Sequence, residues 1–223
     1  MTLLPLPAPW SHRDASRRVL NVVIATLGLL LALPVMVIIA VLIRLTSRGP
    51  VLFAQRRVGL DRRELGHEGG NFRRHVDDGG RTFIMYKFRT MRVDDGDATE
   101  VWALRDDPRV TPLGRVLRKL RLDELPQLWN VLVGDMNVVG PRPEQPAIFA
   151  ALREQIKEYP VRQRVLPGIT GWAQINRPYD CSVDDVREKL NYDLEYIEQR
   201  SALEDFRIML LTPAVMLGRR YGW

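Results

Sequence analysis

Two adjacent carboxylates, Asp123 and Glu124, sit in the middle of LRKLRLDELPQLWNVLVGDMNVVGPRP, residues 117–143. Arg118, Lys119 and Arg121 precede them; Pro126 and the apolar Leu125, Leu128, Trp129 and Leu132 follow. This reads as a helix start, with Asp123 as N-cap and Pro126 tolerated in the first turn. Free backbone N–H groups and the helix dipole make such a start attractive to phosphate. A carboxylate there, ringed by cations, could attack a bound phosphate or hold a divalent metal on it. The same residues also fit an ordinary capped helix with solvated charges.

Further cations lie at a distance in sequence. Lys87 and Arg89, two apart in a β-like run, fall on one face of a strand. They suit a diphosphate, and equally suit exposed edge charges that discourage strand pairing. Arg142 stands between Pro141 and Pro143, so its backbone is restricted before any ligand arrives. Residues 167–177, PGITGWAQINR, bring Gln174 and Arg177 next to an aromatic and several turn residues. Such a loop can stack a base and hydrogen-bond a sugar. It has the glycine spacing of neither a P-loop nor a dinucleotide fingerprint. His67 and His75, in a polar glycine-rich stretch over residues 61–81, read as solvated and receive no role.

These residues need a scaffold. The expected fold is α+β, mainly helical with a small β element. β-like runs cover residues 51–58 and 82–88, and helical spacing covers 113–122, 146–159 and 183–200. Ser182 with Asp185 makes a capping pair. Residues 19–43 carry no charge. As a straight helix they would reach roughly 37 Å, against a hydrocarbon core of about 30 Å. Arginines flank the segment on both sides, Arg13, Arg17 and Arg18 before it and Arg44 and Arg48 after it. The positive-inside rule then wants both ends in the cytoplasm. A helix kinked at Pro34 that enters and leaves one leaflet satisfies this; a plain spanning helix does not. The expected organisation is an arm over residues 1–16, an anchoring helix over 17–48 and a cytoplasmic catalytic domain over 49–223. Amphipathic helices, the apolar and basic C-terminus among them, would lie at the membrane interface.

Composition agrees with this. The chain has 223 residues, a net charge of +6 and a pI near 9.8, so an anionic partner is expected. A single cysteine, Cys181, excludes an intrachain disulfide, and no zinc-ligand spacing is present.

YKFRTM, RLDELPQLWNVLVGDM, VVGPRP and GITGWAQINR, in this order behind a hydrophobic segment, resemble the bacterial sugar transferases. These are monotopic polyprenyl-phosphate phosphoglycosyl transferases, and the chain looks like their minimal form. The resemblance implies transfer of a sugar 1-phosphate from a nucleoside diphosphate sugar, typically a UDP-sugar, to polyprenyl (undecaprenyl) phosphate with release of UMP. It implies an aspartyl phosphosugar intermediate on Asp123 and Mg²⁺ associated with Glu124. Lys87, Arg89 and Arg142 match the family's basic motif residues as phosphate binders; Arg121, Gln174 and Arg177 complete the expected substrate site. The implied place is the cytoplasmic face of the inner (cytoplasmic) membrane, among lipid, with no nucleic acid and with a homo-oligomer admitted. Three departures stand out. Leu33 precedes the anchor proline where many members have Ser. Leu120-Arg121 replaces Thr-Ser, and the stretch over residues 61–81 is long. Rival readings are a glycosyl transferase that releases UDP and a membrane-anchored basic scaffold protein.

Overall fold

A computed structural model of the chain describes residues 12–61, 79–92, 107–177 and 182–217. Most of the N-terminal arm, His67, His75, Cys181 and the last six residues lie outside these.

The fold is mainly helical with two small sheets, as expected. The first helix, α1, runs from His12 to Thr46 without interruption through Pro34. β1 (Leu52–Val58) pairs antiparallel with β2 (Thr82–Phe88). These strands depart from the sequence reading by one residue at a single end. α2 (Pro112–Lys119) is capped by Thr111, whose Oγ1 accepts from the Gly114 N–H at 2.9 Å. Gly114 is required here, because a Cβ would sit 2.0 Å from the Thr90 carbonyl oxygen. α3 (Gln127–Val133) ends at Gly134 in the left-handed conformation, φ 90°. β3 (Asn137–Val139) pairs parallel with β4 (Gly168–Thr170), and α4 (Pro146–Gln155) lies between them in sequence. α5 (Trp172–Asn176), α6 (Val183–Gln199) and α7 (Ala202–Leu217) complete the chain. The expected Ser182 cap is present, with its Oγ accepting from the Asp185 N–H.

The core joins these elements around α3. Val131, Met136, Val139, Phe83, Met85, Ile197 and Ile208 pack together, and Ala25 of α1 is buried among them. The base of α1 is bonded into this core. Asn21 Oδ1 accepts from the Val138 N–H, and Arg18 donates to the carbonyls of Val131 and Leu132 at 2.6 and 2.7 Å. Arg17 reaches Asp205 at 2.8 Å, and Tyr196 donates to the same carboxylate. The uncharged segment therefore begins with one face packed on protein, while Val19 and Val23 stay exposed on the other. The far half of α1 returns to the same domain. Ile39 and Ile43 are buried with Phe88 and Leu117, and Leu122 and Leu125 pack against them. Between the two contact zones Leu30, Leu31 and Leu33 are exposed.

Candidate active site

Asp123 and Glu124 occupy a short 3-10 turn, Leu122–Glu124, ahead of α3. This corrects the expected N-cap. Asp123 does not cap α3; Pro126 takes the capping position and supplies no side-chain bond. The reason is local. Pro126 has no N–H to donate to residue 122, so the chain tightens into i→i−3 bonds, among them Leu125 N–H to Leu122 and Leu128 N–H to Leu125. Arg121 enters the turn in the left-handed conformation, φ 57°, the one non-glycine with positive φ among the described residues. For a residue with a Cβ this costs about 1–3 kcal/mol, and such strain collects at functional sites. It swings the carboxylates inward, leaving Asp123 7% and Glu124 6% exposed.

Three cations converge on Glu124. Lys87 Nζ donates to its Oε1 at 2.7 Å, Arg142 donates to the same oxygen at 3.1 Å, and Arg121 stands 3.6 Å away. Burial opposes the charge on Glu124, but Lys87, Arg142 and Arg121 outweigh it and hold the carboxyl far below its usual range. Burial lowers Lys87, against the pull of Glu124. Asp123 is the opposite case. Burial and then the Glu124 charge push its pKa up, with Lys87, Arg121 and Arg142 pulling it down. Its Oδ1 is buried with no hydrogen-bond partner among the described residues. One carboxylate is thus pinned by cations, and its neighbour keeps an uncommitted oxygen.

Arg142 is held by a brace that sequence reasoning missed. Arg162, buried in the 3-10 segment Tyr159–Arg164, donates to the Arg142 carbonyl at 3.1 Å and to Asp193 of α6 at 2.7 Å. Arg57 of β1 donates to the neighbouring Pro143 carbonyl at 2.9 Å. Lys87 is placed by Asn130, also missed. The free edge of β2 lies along α3; Asn130 accepts from the Tyr86 N–H at 3.1 Å and donates to the Ile84 carbonyl at 2.7 Å. One fully buried amide thereby satisfies two edge groups that would otherwise be orphaned. For Asn130 the only sequence signal was a polar side chain inside an apolar helical pattern, and Arg162, in the polar run YPVRQR, offered none.

The remaining candidates are distributed around the cluster. Val139 pairs with Thr170, so the Arg142 loop and the loop to Gln174 leave adjacent parallel strands side by side. Gln174 Nε2 is buried without a hydrogen-bond partner among the described residues. Arg89 is directed elsewhere. It donates to the carbonyl and hydroxyl of Ser47, each at 2.8 Å, and to the Arg48 carbonyl, which ties the end of α1 to β2. Arg177 pairs with Glu188 of α6. Lys87, Arg121 and Arg142 are therefore the expected cations that the fold gathers on the carboxylates.

Mg²⁺ is held by one or two carboxylates together with substrate phosphates, rather than by an all-protein cage. The uncommitted Asp123 oxygen and the Glu124 carboxylate fit that donor set. No group of three or more His, Cys, Asp or Glu stands ready to enclose a metal among the described residues.

Comparison with known proteins bears on this arrangement. Residues 12–219 match the bacterial sugar transferase family. The UDP-glucose:undecaprenyl-phosphate glucose-1-phosphate transferase of Escherichia coli (strain K12) is 41% identical over 88% of this chain and 39% of that protein. The enzyme of the same description from Caulobacter vibrioides is 38% identical over 95% of this chain and 73% of that protein. The UDP-N-acetylgalactosamine-undecaprenyl-phosphate N-acetylgalactosaminephosphotransferase of Aeromonas hydrophila is 39% identical over 90% of this chain and 43% of that protein. The chain thus spans less than half the length of two of these relatives and about three quarters of the third. With the family matched from the base of α1 through α7, the chain belongs to the bacterial sugar transferase family.

Proposed function

We propose that this chain transfers a sugar 1-phosphate from a UDP-sugar to undecaprenyl phosphate, with Asp123 as the nucleophile. The observation that carries the proposal is the uncommitted Asp123 oxygen beside a Glu124 held by three cations. Lys87, Arg121 and Arg142 attract the diphosphate and offset charge on the transferred phosphoryl group. An Asp123 oxygen attacks the β-phosphorus. A P–O bond forms there as the bond to the bridging oxygen breaks, and UMP leaves with the electron pair. The sugar phosphate is then an acyl phosphate on Asp123. An oxygen of undecaprenyl phosphate attacks the same phosphorus and returns the carboxylate. Mg²⁺, held by Glu124 with Asp123 and the substrate, would neutralise charge on the diphosphate. Gln174, beside the Arg142 loop, is positioned to meet the nucleotide sugar.

The anchoring of α1 supports placement at a membrane. Residues 14–46 are long and apolar enough to enter one. A straight crossing would place both contact zones of α1, which lie within the uncharged residues 19–43, inside the hydrocarbon together with the domain residues packed on them. One domain holds both, with the exposed leucines beside Pro34 between them. We therefore place α1 as a re-entrant anchor, with the site on the cytoplasmic face where nucleotide sugars are made.

The test is a panel of UDP-sugars, including UDP-glucose and UDP-N-acetylgalactosamine, incubated with undecaprenyl phosphate and Mg²⁺. UMP release is expected with one of them. Release of UDP would indicate transfer of the sugar alone, and no nucleotide release would remove the activity.

A further inference from the structure

Phe53 lies directly opposite Lys87 in the antiparallel β1–β2 pair. Residues paired in this way share a face of the sheet, with Cβ atoms roughly 4.5–5.5 Å apart. Lys87 Nζ is 2.7 Å from Glu124, so an aromatic ring stands next to the phosphate-binding cations. Further along the same face Met85 and Phe83 are buried in the core, whereas Phe53 is 47% exposed. Nothing in the proposed chemistry uses this ring.

Other exposed apolar side chains lie near it in the chain, Leu52 on the opposite face of β1. Leu45, at the end of α1, is 76% exposed, and Leu52, the first residue of β1, is 43% exposed. The linker between them is fixed in place. Val51 packs against the cluster of Ile39, Ile43, Phe88 and Leu117, its carbonyl accepts from the Arg89 N–H, and the Arg89 side chain grips Ser47. Phe53 is therefore held at the anchor side of the site, where the chain leaves the apolar helix. An exposed aromatic ring beside a cluster of cations, a few residues beyond an apolar anchor, is complementary to one kind of molecule, a phosphate ester of a long hydrocarbon. A nucleobase can also stack on an aromatic ring. A soluble anion, however, gains nothing from a position beside the anchor.

We propose that Phe53 receives the first isoprene units of the polyprenyl phosphate acceptor. This rests on the function proposed above and makes Phe53 a specificity determinant of the second half-reaction alone. In a ping-pong sequence kcat/KM for each substrate reports its own half-reaction, so the two roles separate.

The test uses the full chain in vesicles of phosphatidylethanolamine and phosphatidylglycerol, with undecaprenyl phosphate and the active UDP-sugar. Phe53→Ala should lower kcat/KM for undecaprenyl phosphate by about 10- to 100-fold, the scale for losing one large apolar contact. Its kcat/KM for the UDP-sugar and its co-flotation with vesicles should not change. Phe53→Leu, which keeps an apolar side chain, should stay within about threefold of the original for both substrates. An equal fall for both substrates would make the ring structural, and a fall for the UDP-sugar alone would make it a base-stacking residue. Loss of vesicle flotation would make it an interfacial anchor, and no change would leave it without a role; each of these four results overturns the inference. If the unsubstituted chain releases no UMP, the function proposed above fails, and the inference falls with it.

Discussion

Asp123 carries opposite demands for reactivity and stability. Its oxygen is buried without a partner, and burial with the adjacent Glu124 raises its pKa from 3.8. An acid with a raised folded pKa binds its proton more tightly folded than unfolded. Its ionisation at neutral pH therefore costs stability, and this cost vanishes once pH falls below the unfolded value of about 3.8. Asp123→Asn should abolish turnover, because an amide is a poor nucleophile, and should raise Tm at pH 7. Each kcal/mol gained corresponds to roughly 2–4 °C in a chain of this size. The gain should shrink as the melts are repeated toward pH 4, and a lower Tm at pH 7 would show that the ionised carboxylate is stabilising. The identity of the pair was legible in the sequence, from two carboxylates among cations. Its conformation was not, because the missing Pro126 N–H and the left-handed Arg121 act through backbone geometry that residue types only hint at.

At the scale of elements, the site depends on two joints. Asn130 fastens α3 to the edge of β2, and Arg162 fastens the Arg142 loop to α6 through Asp193. Asn130→Leu fills similar space but leaves the Tyr86 N–H and the Ile84 carbonyl without partners. It should destabilise the fold by about 1–3 kcal/mol and raise KM for the UDP-sugar as Lys87 loses its position. Thermal melts together with initial rates check this, and an unchanged Tm with normal KM would show the joint to be dispensable. β1, β2 and the Ser182 cap were legible because alternation, turn residues and capping are local signals. The contacts that make these joints span 20 to 46 residues, and no local pattern encodes a contact of that range. Arg89 shows the same limit from the other side. Its spacing from Lys87 suggested a shared ligand, whereas a contact 42 residues away sends it to Ser47.

For the whole molecule, the anchor and the site are one construction. α1 packs its first half against α3 and β3 and its second half against the residues that bracket Asp123 and Glu124. The sequence revealed an apolar segment with basic flanks; that both ends return to one domain emerged only from the packing. With Pro34 in place both termini should stay cytoplasmic. A cysteine placed at Ser11, with Cys181 replaced, should resist an impermeant thiol reagent on intact cells and react after lysis. Pro34→Ala, which restores a helical hydrogen bond, should favour a straighter helix and increase labelling of intact cells. Strong labelling with Pro34 intact would mean that α1 crosses the bilayer, and the re-entrant anchor would have to be abandoned.

The central claim is that Asp123 becomes covalently bonded to the sugar phosphate before any lipid takes part. Intact-protein and peptide mass spectrometry, after incubation with the active UDP-sugar and Mg²⁺ in the absence of undecaprenyl phosphate, tests it most directly. The expected result is release of about one UMP per chain and a mass gain of one sugar phosphate on the peptide containing Asp123. Both should be lost in Asp123→Asn, and added undecaprenyl phosphate should discharge the adduct. An unmodified protein that releases UMP only once undecaprenyl phosphate is present would contradict it.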